Sequence, residues 1–167
     1  MGFGDRLSLS GYQRSLELFH GVFVPTEAVL ADWGAAQSLS WSVAARARLA
    51  AADLRALSIY SGRAVSKLTA TIEAPPNGAA GMPEALGYAY VLEGSALGAA
   101  SFEQRVQREL PGAPLAFLAP TDPARWLRFT TIFDAALVDS TDMARAARAA
   151  SSIFDAFRVL ADRASRA

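Results

Sequence analysis

Apolar side chains recur along most of the chain at intervals of three and four residues, the repeat that aligns them on one face of an α-helix, and strictly alternating runs are scarce. This periodicity predicts an all-α, multi-helical fold. The first helix takes Ser10 as its cap and carries Tyr12, Leu16, Phe19 and Phe23 on one broad face. It breaks or kinks at Pro25 and continues over residues 27–33. A second helix covers residues 42–60 through Leu49, Ala52 and Leu57, and Gly62 interrupts it before a further helical stretch ending near Ile72. Residues 74–81, with Pro75, Pro76, Asn77 and two glycines, read as loop. Pro83 sits in the first turn of a helix that passes through Leu86, Tyr90, Leu97 and Phe102 towards Leu110. Residues 111–120 form a second, partly apolar break. Thr121 or Asp122 then caps a helix with Pro123 in its first turn and Trp126, Phe129, Ile132, Phe133 and Leu137 on its buried side. Residues 140–142 offer a cap for the last helix, whose core stripe is Ile153, Phe157 and Leu160.

With 167 residues, 52% of them hydrophobic, the chain suffices for one domain spanning residues 1–167 with a proper core. It has no cysteine, which excludes disulfides, thiolate metal sites and thiol nucleophiles. Sixteen basic and sixteen acidic residues balance, and no stretch concentrates one sign, so nucleic acid and membrane surfaces are not expected partners. Neither a signal peptide nor a membrane span is legible, which makes a cytoplasmic location the expectation. Lys67, the one lysine, falls in a surface-helix pattern and gives no sign of Schiff-base chemistry. A lone histidine without a nucleophile elbow argues against a hydrolase triad, and it cannot supply the paired Glu-x-x-His motifs of a di-iron bundle.

The most informative stretch is residues 86–102, an apolar helix that holds Gly87, Gly94 and Gly98 in its interior. Each mid-helix glycine costs roughly 0.8–1 kcal/mol relative to alanine, so several together call for a packing or functional reason. The bare backbone around Gly94, Ser95 and Gly98 suits either the close approach of another helix or a flat, rigid ligand. The run Gly87-Tyr88-Ala89-Tyr90-Val91-Leu92-Glu93-Gly94-Ser95-Ala96-Leu97-Gly98 resembles the distal-helix signature of bacterial heme oxygenases, particularly those associated with bacteriophytochromes. Asp53-Leu54 after an Arg- and Ala-rich stretch, and Arg125-Trp126 followed by Phe129, fall in the order and approximate spacing of that family. The similarity runs from about Gly11 to the last helix.

The resemblance implies a heme oxygenase-like fold in which the glycine-bearing helix lies over one face of heme. In that family bound oxygen attacks the porphyrin to give biliverdin, carbon monoxide and iron, with electrons from a reductase. Gly94, Ser95 and Gly98 would line the distal side as the catalytic face, with Ser95 near the water that steers oxygen. Tyr88 and Tyr90 would contact the tetrapyrrole, and Arg125 or Arg128 would pair with a propionate. The sequence departs from the family at Ala99, where a second glycine is usual, and at Ala100, where a polar residue often follows.

A larger departure concerns the iron. The family's proximal histidine belongs to a helix upstream of the part matching Gly11-Tyr12, and that helix does not fit before Gly11. His20 instead falls in the middle of the first predicted helix. It is the candidate metal ligand, with Tyr12, Tyr60, Tyr88, Tyr90 or a methionine as substitutes. Absence of the proximal helix would expose an apolar stripe, with Phe23, Trp33 and Trp41 as candidates that could equally be core, which a homodimer would cover. The expected function is a catalytically impaired heme oxygenase relative binding heme, a bilin such as biliverdin, or a protein partner in the former heme pocket. The alternatives are an active heme oxygenase with a reductase partner, its ligand supplied by His20, a partner chain or coding sequence upstream, and a helical interaction module with a collapsed pocket.

Overall fold

The structure, a computed structural model, describes residues 6–37 and 45–166. Six α-helices appear among them and no strand: α1 (Leu9–Gln37), α2 (Arg46–Ser61), α3 (Met82–Leu97), α4 (Ala99–Glu109), α5 (Pro123–Ala136) and α6 (Ser140–Arg166). The fold is therefore all-α, as the apolar period predicts. Among the described residues no helix is long and apolar enough to cross a membrane.

Local chemistry sets the boundaries, with some differences from expectation. The start of α1 is capped by Ser8 rather than Ser10, its Oγ accepting from the Gly11 N–H at 3.0 Å. Asp122 caps α5 by accepting from Ala124 N–H. Asp139, one residue ahead of the expected cap, accepts from the N–H groups of Thr141 and Asp142 at the start of α6. The predicted start of α2 at residue 42 lies outside the described residues. Pro25 does not end α1, which runs through it. Proline has no N–H to give the carbonyl four residues back, here that of Gly21. Ala70 N–H supplies the bond instead, at 2.9 Å.

This bond explains why residues 63–72 are not the helix that the sequence suggests. They form an irregular strap laid along α1, Lys67 included, and its donors and acceptors are used by that helix. Ser66 N–H donates to Glu17 Oε1 at 3.0 Å, and the Ala64 carbonyl accepts from Gln13 Nε2 at 3.2 Å. Gly21 makes room: a Cβ there would lie 2.8 Å from the Leu68 carbonyl oxygen.

α3 is the hub, packed against α6, α1 and α5, while α2 pairs with α1. The core contains Tyr12, Leu16, Phe23, Leu57, Leu92, Phe129, Ile153 and Leu160. Phe23 and Trp33 are buried here, not exposed; the Trp33 indole N–H donates to the Pro76 carbonyl at 3.2 Å. Trp41 lies outside the described residues. The exposed apolar side chains include instead Tyr90, Leu97 and Phe154. The single helix expected from Pro83 to Leu110 is two, interrupted by a turn at Gly98 between α3 and α4.

Candidate functional site

Glycines alike in sequence play different parts along α3. A Cβ on Gly87 would fall 2.2 Å from the Ala146 carbonyl oxygen, so this glycine permits backbone contact between α3 and α6. Gly94 and Gly98 have no such neighbour: Trp126 Cζ3 lies 3.8 Å from a Cβ at Gly94, and nothing lies within 4 Å of one at Gly98. Both line a partly open cavity of about 670 Å³, within the ~300–1,000 Å³ range of small-molecule sites.

α3 contributes Tyr90, Val91, Gly94, Ser95 and Leu97 to this cavity, and Gly98, Ala99 and Phe102 follow at the turn and along α4. Phe19 and Phe23 of α1, Phe117 and Phe157 form one aromatic wall; Phe19 sits 5.0 Å from Phe117 and 5.3 Å from Phe157 between ring centroids. Trp126 of α5 lies across from them, 5.5 Å from Tyr90. Leu97 and Phe154, both more than half exposed, reach the cavity from its open side.

Polar groups in the lining are few. Ser95 Oγ donates to the Leu92 carbonyl at 2.6 Å and Ser15 Oγ to the Gly11 carbonyl at 3.0 Å, so both hydroxyl hydrogens are used within their own helices. No charged side chain lines the cavity among the described residues. An arrangement of rings, methyl groups and bare backbone can hold a flat apolar body, and the Tyr90 phenol is the one titratable side chain among the described lining residues.

α2 places Phe117 in this wall. Asp53, buried, accepts from the N–H groups of Ala116 and Phe117 at 3.0 and 2.8 Å. Arg46 Nη2 donates to the Phe117 carbonyl at 3.1 Å, and its guanidinium lies 4.5 Å from the centre of the Phe117 ring. Burial raises the Asp53 carboxyl above its ordinary range, against the two backbone hydrogen bonds. Burial also lowers Arg46 from its ordinary value, opposed by Glu93 and Glu27. These residues position the wall without touching the cavity.

The other sequence candidates lie elsewhere. Arg125 donates to Glu93 through both Nε and Nη2, and Arg128 Nη2 pairs with Asp122 at 2.8 Å; neither lines the cavity. Tyr88 is buried, and burial raises its phenol above the ordinary value, opposed by the neighbouring Ser152. Tyr12 donates to the Pro114 carbonyl, and Tyr60 lines a small surface cleft with Leu9 and Pro111. His20 is half-buried outside the lining; burial lowers its imidazole below the ordinary value, and Arg55 adds to this. No cluster of three metal-ligating side chains occurs among the described residues.

Of the residues singled out in the sequence as a site, Tyr90, Gly94, Ser95 and Gly98 line the cavity; Ser15, Phe19, Phe23, Phe102, Phe117, Leu118, Trp126, Phe154 and Phe157 line it too without having been assigned there. The partly apolar character of residues 111–120 is the one signal that pointed to Phe117 and Leu118. No family model, curated protein or solved structure matches the chain.

Proposed function

We propose that this protein binds a tetrapyrrole, heme or a bilin, against the Gly94–Ser95–Gly98 face, as a catalytically impaired relative of the heme oxygenases. The observation that carries this reading is that the glycines of the resembling stretch, Gly94 and Gly98, border an aromatic cavity rather than another helix. A collapsed site would have favoured a plain interaction module.

The macrocycle suits the residues and the iron does not. Aromatic rings and bare backbone accept a planar apolar ring. The chain's one histidine, His20, lies outside the lining, and among the described lining residues Tyr90 alone carries a phenol. With Ser15 and Ser95 bonded to their own helices, the residues present would orient and desolvate a ring, with the Tyr90 phenol as the remaining side-chain hydroxyl among the described lining residues.

Titration of the purified protein with protoporphyrin IX, hemin and biliverdin, followed by absorption, tests the reading. We expect saturable one-to-one spectral changes with at least one of them, lost in Gly98→Leu, whose Cβ would have nothing within 4 Å and whose longer side chain would occupy cavity space. No spectral change with any of the three overturns it. A histidine-type ferric spectrum that vanishes in His20→Ala, with biliverdin formed in the presence of a reductase, establishes an active oxygenase instead.

A further inference from the structure

A second cavity of about 350 Å³ lies beside the first, bordered by Gly87 and Tyr90 of α3, Phe133 of α5, and Met143, Ala147 and Ala150 of α6. Tyr90 borders both cavities and is the partition between them. Its ring packs 5.5 Å from Trp126, which lines the first, and 5.5 Å from Phe133, which lines the second. The side chain is 44% exposed, so rotation about its Cα–Cβ bond is not blocked on every side.

The chemistry of the two spaces differs. The first is broad and walled by rings. The second is narrower and walled by alanine methyl groups, one methionine and Phe133, with the Tyr90 phenol as its one polar side chain. The backbones of α3 and α6 meet at Gly87 and Ala146 beneath it. The space is open on one side, where Met143 and Ala147 are exposed; a carboxylate or amide pressed against these walls would give up part of its hydration with the Tyr90 phenol as its one side-chain partner, whereas a hydrocarbon chain would cover exposed methyl groups.

We infer that the second cavity receives an aliphatic chain carried by the ligand of the first, so that the bound molecule is a planar ring with a hydrocarbon arm passing Tyr90. The inference rests on the tetrapyrrole reading. It goes beyond that reading by giving the ligand a long apolar substituent on the α3–α6 side. The size of the alanines decides it: Ala147 and Ala150 are on the α6 face that borders this space, and larger side chains there would fill it without entering the first cavity.

The test compares protoporphyrin IX with its monodecyl ester by fluorescence titration of the wild type, Ala147→Phe and Ala150→Leu. The ester is expected to bind the wild type about tenfold more tightly or better, and to lose this advantage in both variants while protoporphyrin IX binds all three proteins alike. Two independent variants guard against one of them misfolding, and unchanged parent binding reports an intact first cavity. Protoporphyrin IX binding with no preference for the ester, or a preference that persists in both variants, overturns the inference and leaves the ring-binding reading standing. Binding of neither probe overturns both.

Discussion

A methyl group at Gly87 and one at Gly94 have opposite consequences, although both positions lie inside the same helix. At Gly87 it would stand 2.2 Å from the Ala146 carbonyl oxygen, and α3 would have to move away from α6. Gly87→Ala should therefore lower stability by about 1–3 kcal/mol. At Gly94 the nearest atom is an ordinary van der Waals contact on Trp126, so Gly94→Ala should raise stability by about 0.5–1 kcal/mol through the helical preference of alanine. Urea denaturation of the two variants beside the wild type measures both signs. The sequence shows the cost of each glycine but not what lies opposite it, because a helical period records the face and not the neighbour. His20 carries a second residue-scale expectation. Its imidazole is lowered by burial first and by Arg55 second, so the folded state prefers the neutral ring. The unfolded chain binds the proton more readily, and this contribution is present above the ordinary histidine value and is lost as pH falls through the lowered one. Glu27 and Asp53, both raised by burial, act in the opposite sense as they gain protons at lower pH. The quantity to measure is therefore the stability of wild type minus that of His20→Gln, which should fall between pH 7.5 and pH 5; a flat difference would contradict this.

At the scale of elements, α1 and the strap over residues 63–72 depend on each other. Glu17 is buried and its Oε1 accepts from Ser66 N–H and from Gln13 Nε2. Glu17→Ala leaves these donors without their acceptor and should cost about 2 kcal/mol. Hydrogen exchange should quicken over the strap and stay unchanged in α5, which the strap does not touch through any of these bonds. The helices themselves were legible, because each buries a face whose apolar residues repeat at three and four positions, and Asp122 and Pro123 mark the start of α5 as plainly as sequence can. The strap was not, since Val65, Leu68 and Ile72 keep a spacing compatible with a helix while the backbone groups of Ala64, Ser66 and Ala70 are claimed by residues about fifty positions earlier. Such long-range bonds leave no periodic trace. The interruption at Gly98 escaped for a related reason, as its φ of −77° and ψ of −13° are near-helical and call for no special residue.

Across the whole molecule the cavity is assembled from α1, α3, α4, α5, α6 and the loop that carries Phe117, and α3 alone was identified from sequence as part of it. The stretch around Gly94 and Gly98 could be read because its glycines are costly in isolation. The aromatic residues of α1 and α6 could not be assigned to a site, since phenylalanine at helical spacing is equally the mark of a core. Asp53 shows how distant the control of the cavity is: it lies on α2 and holds the two peptide groups that present Phe117 to the opening. Because so many elements meet at the cavity, a ligand that fills it should tie their unfolding together. At one hundred times its dissociation constant, a ligand that binds only the folded chain adds about 2.7 kcal/mol to stability. For a chain of 167 residues this corresponds to a rise in melting temperature of about 5–11 °C. Thermal denaturation with saturating protoporphyrin IX should show that rise in the wild type and none in Gly98→Leu. Asp53→Ala should show a smaller rise on a lower baseline, since a released Phe117 loosens the wall that the ring would press against. An equal rise in all three proteins would mean that the ligand stabilises them from somewhere other than this cavity.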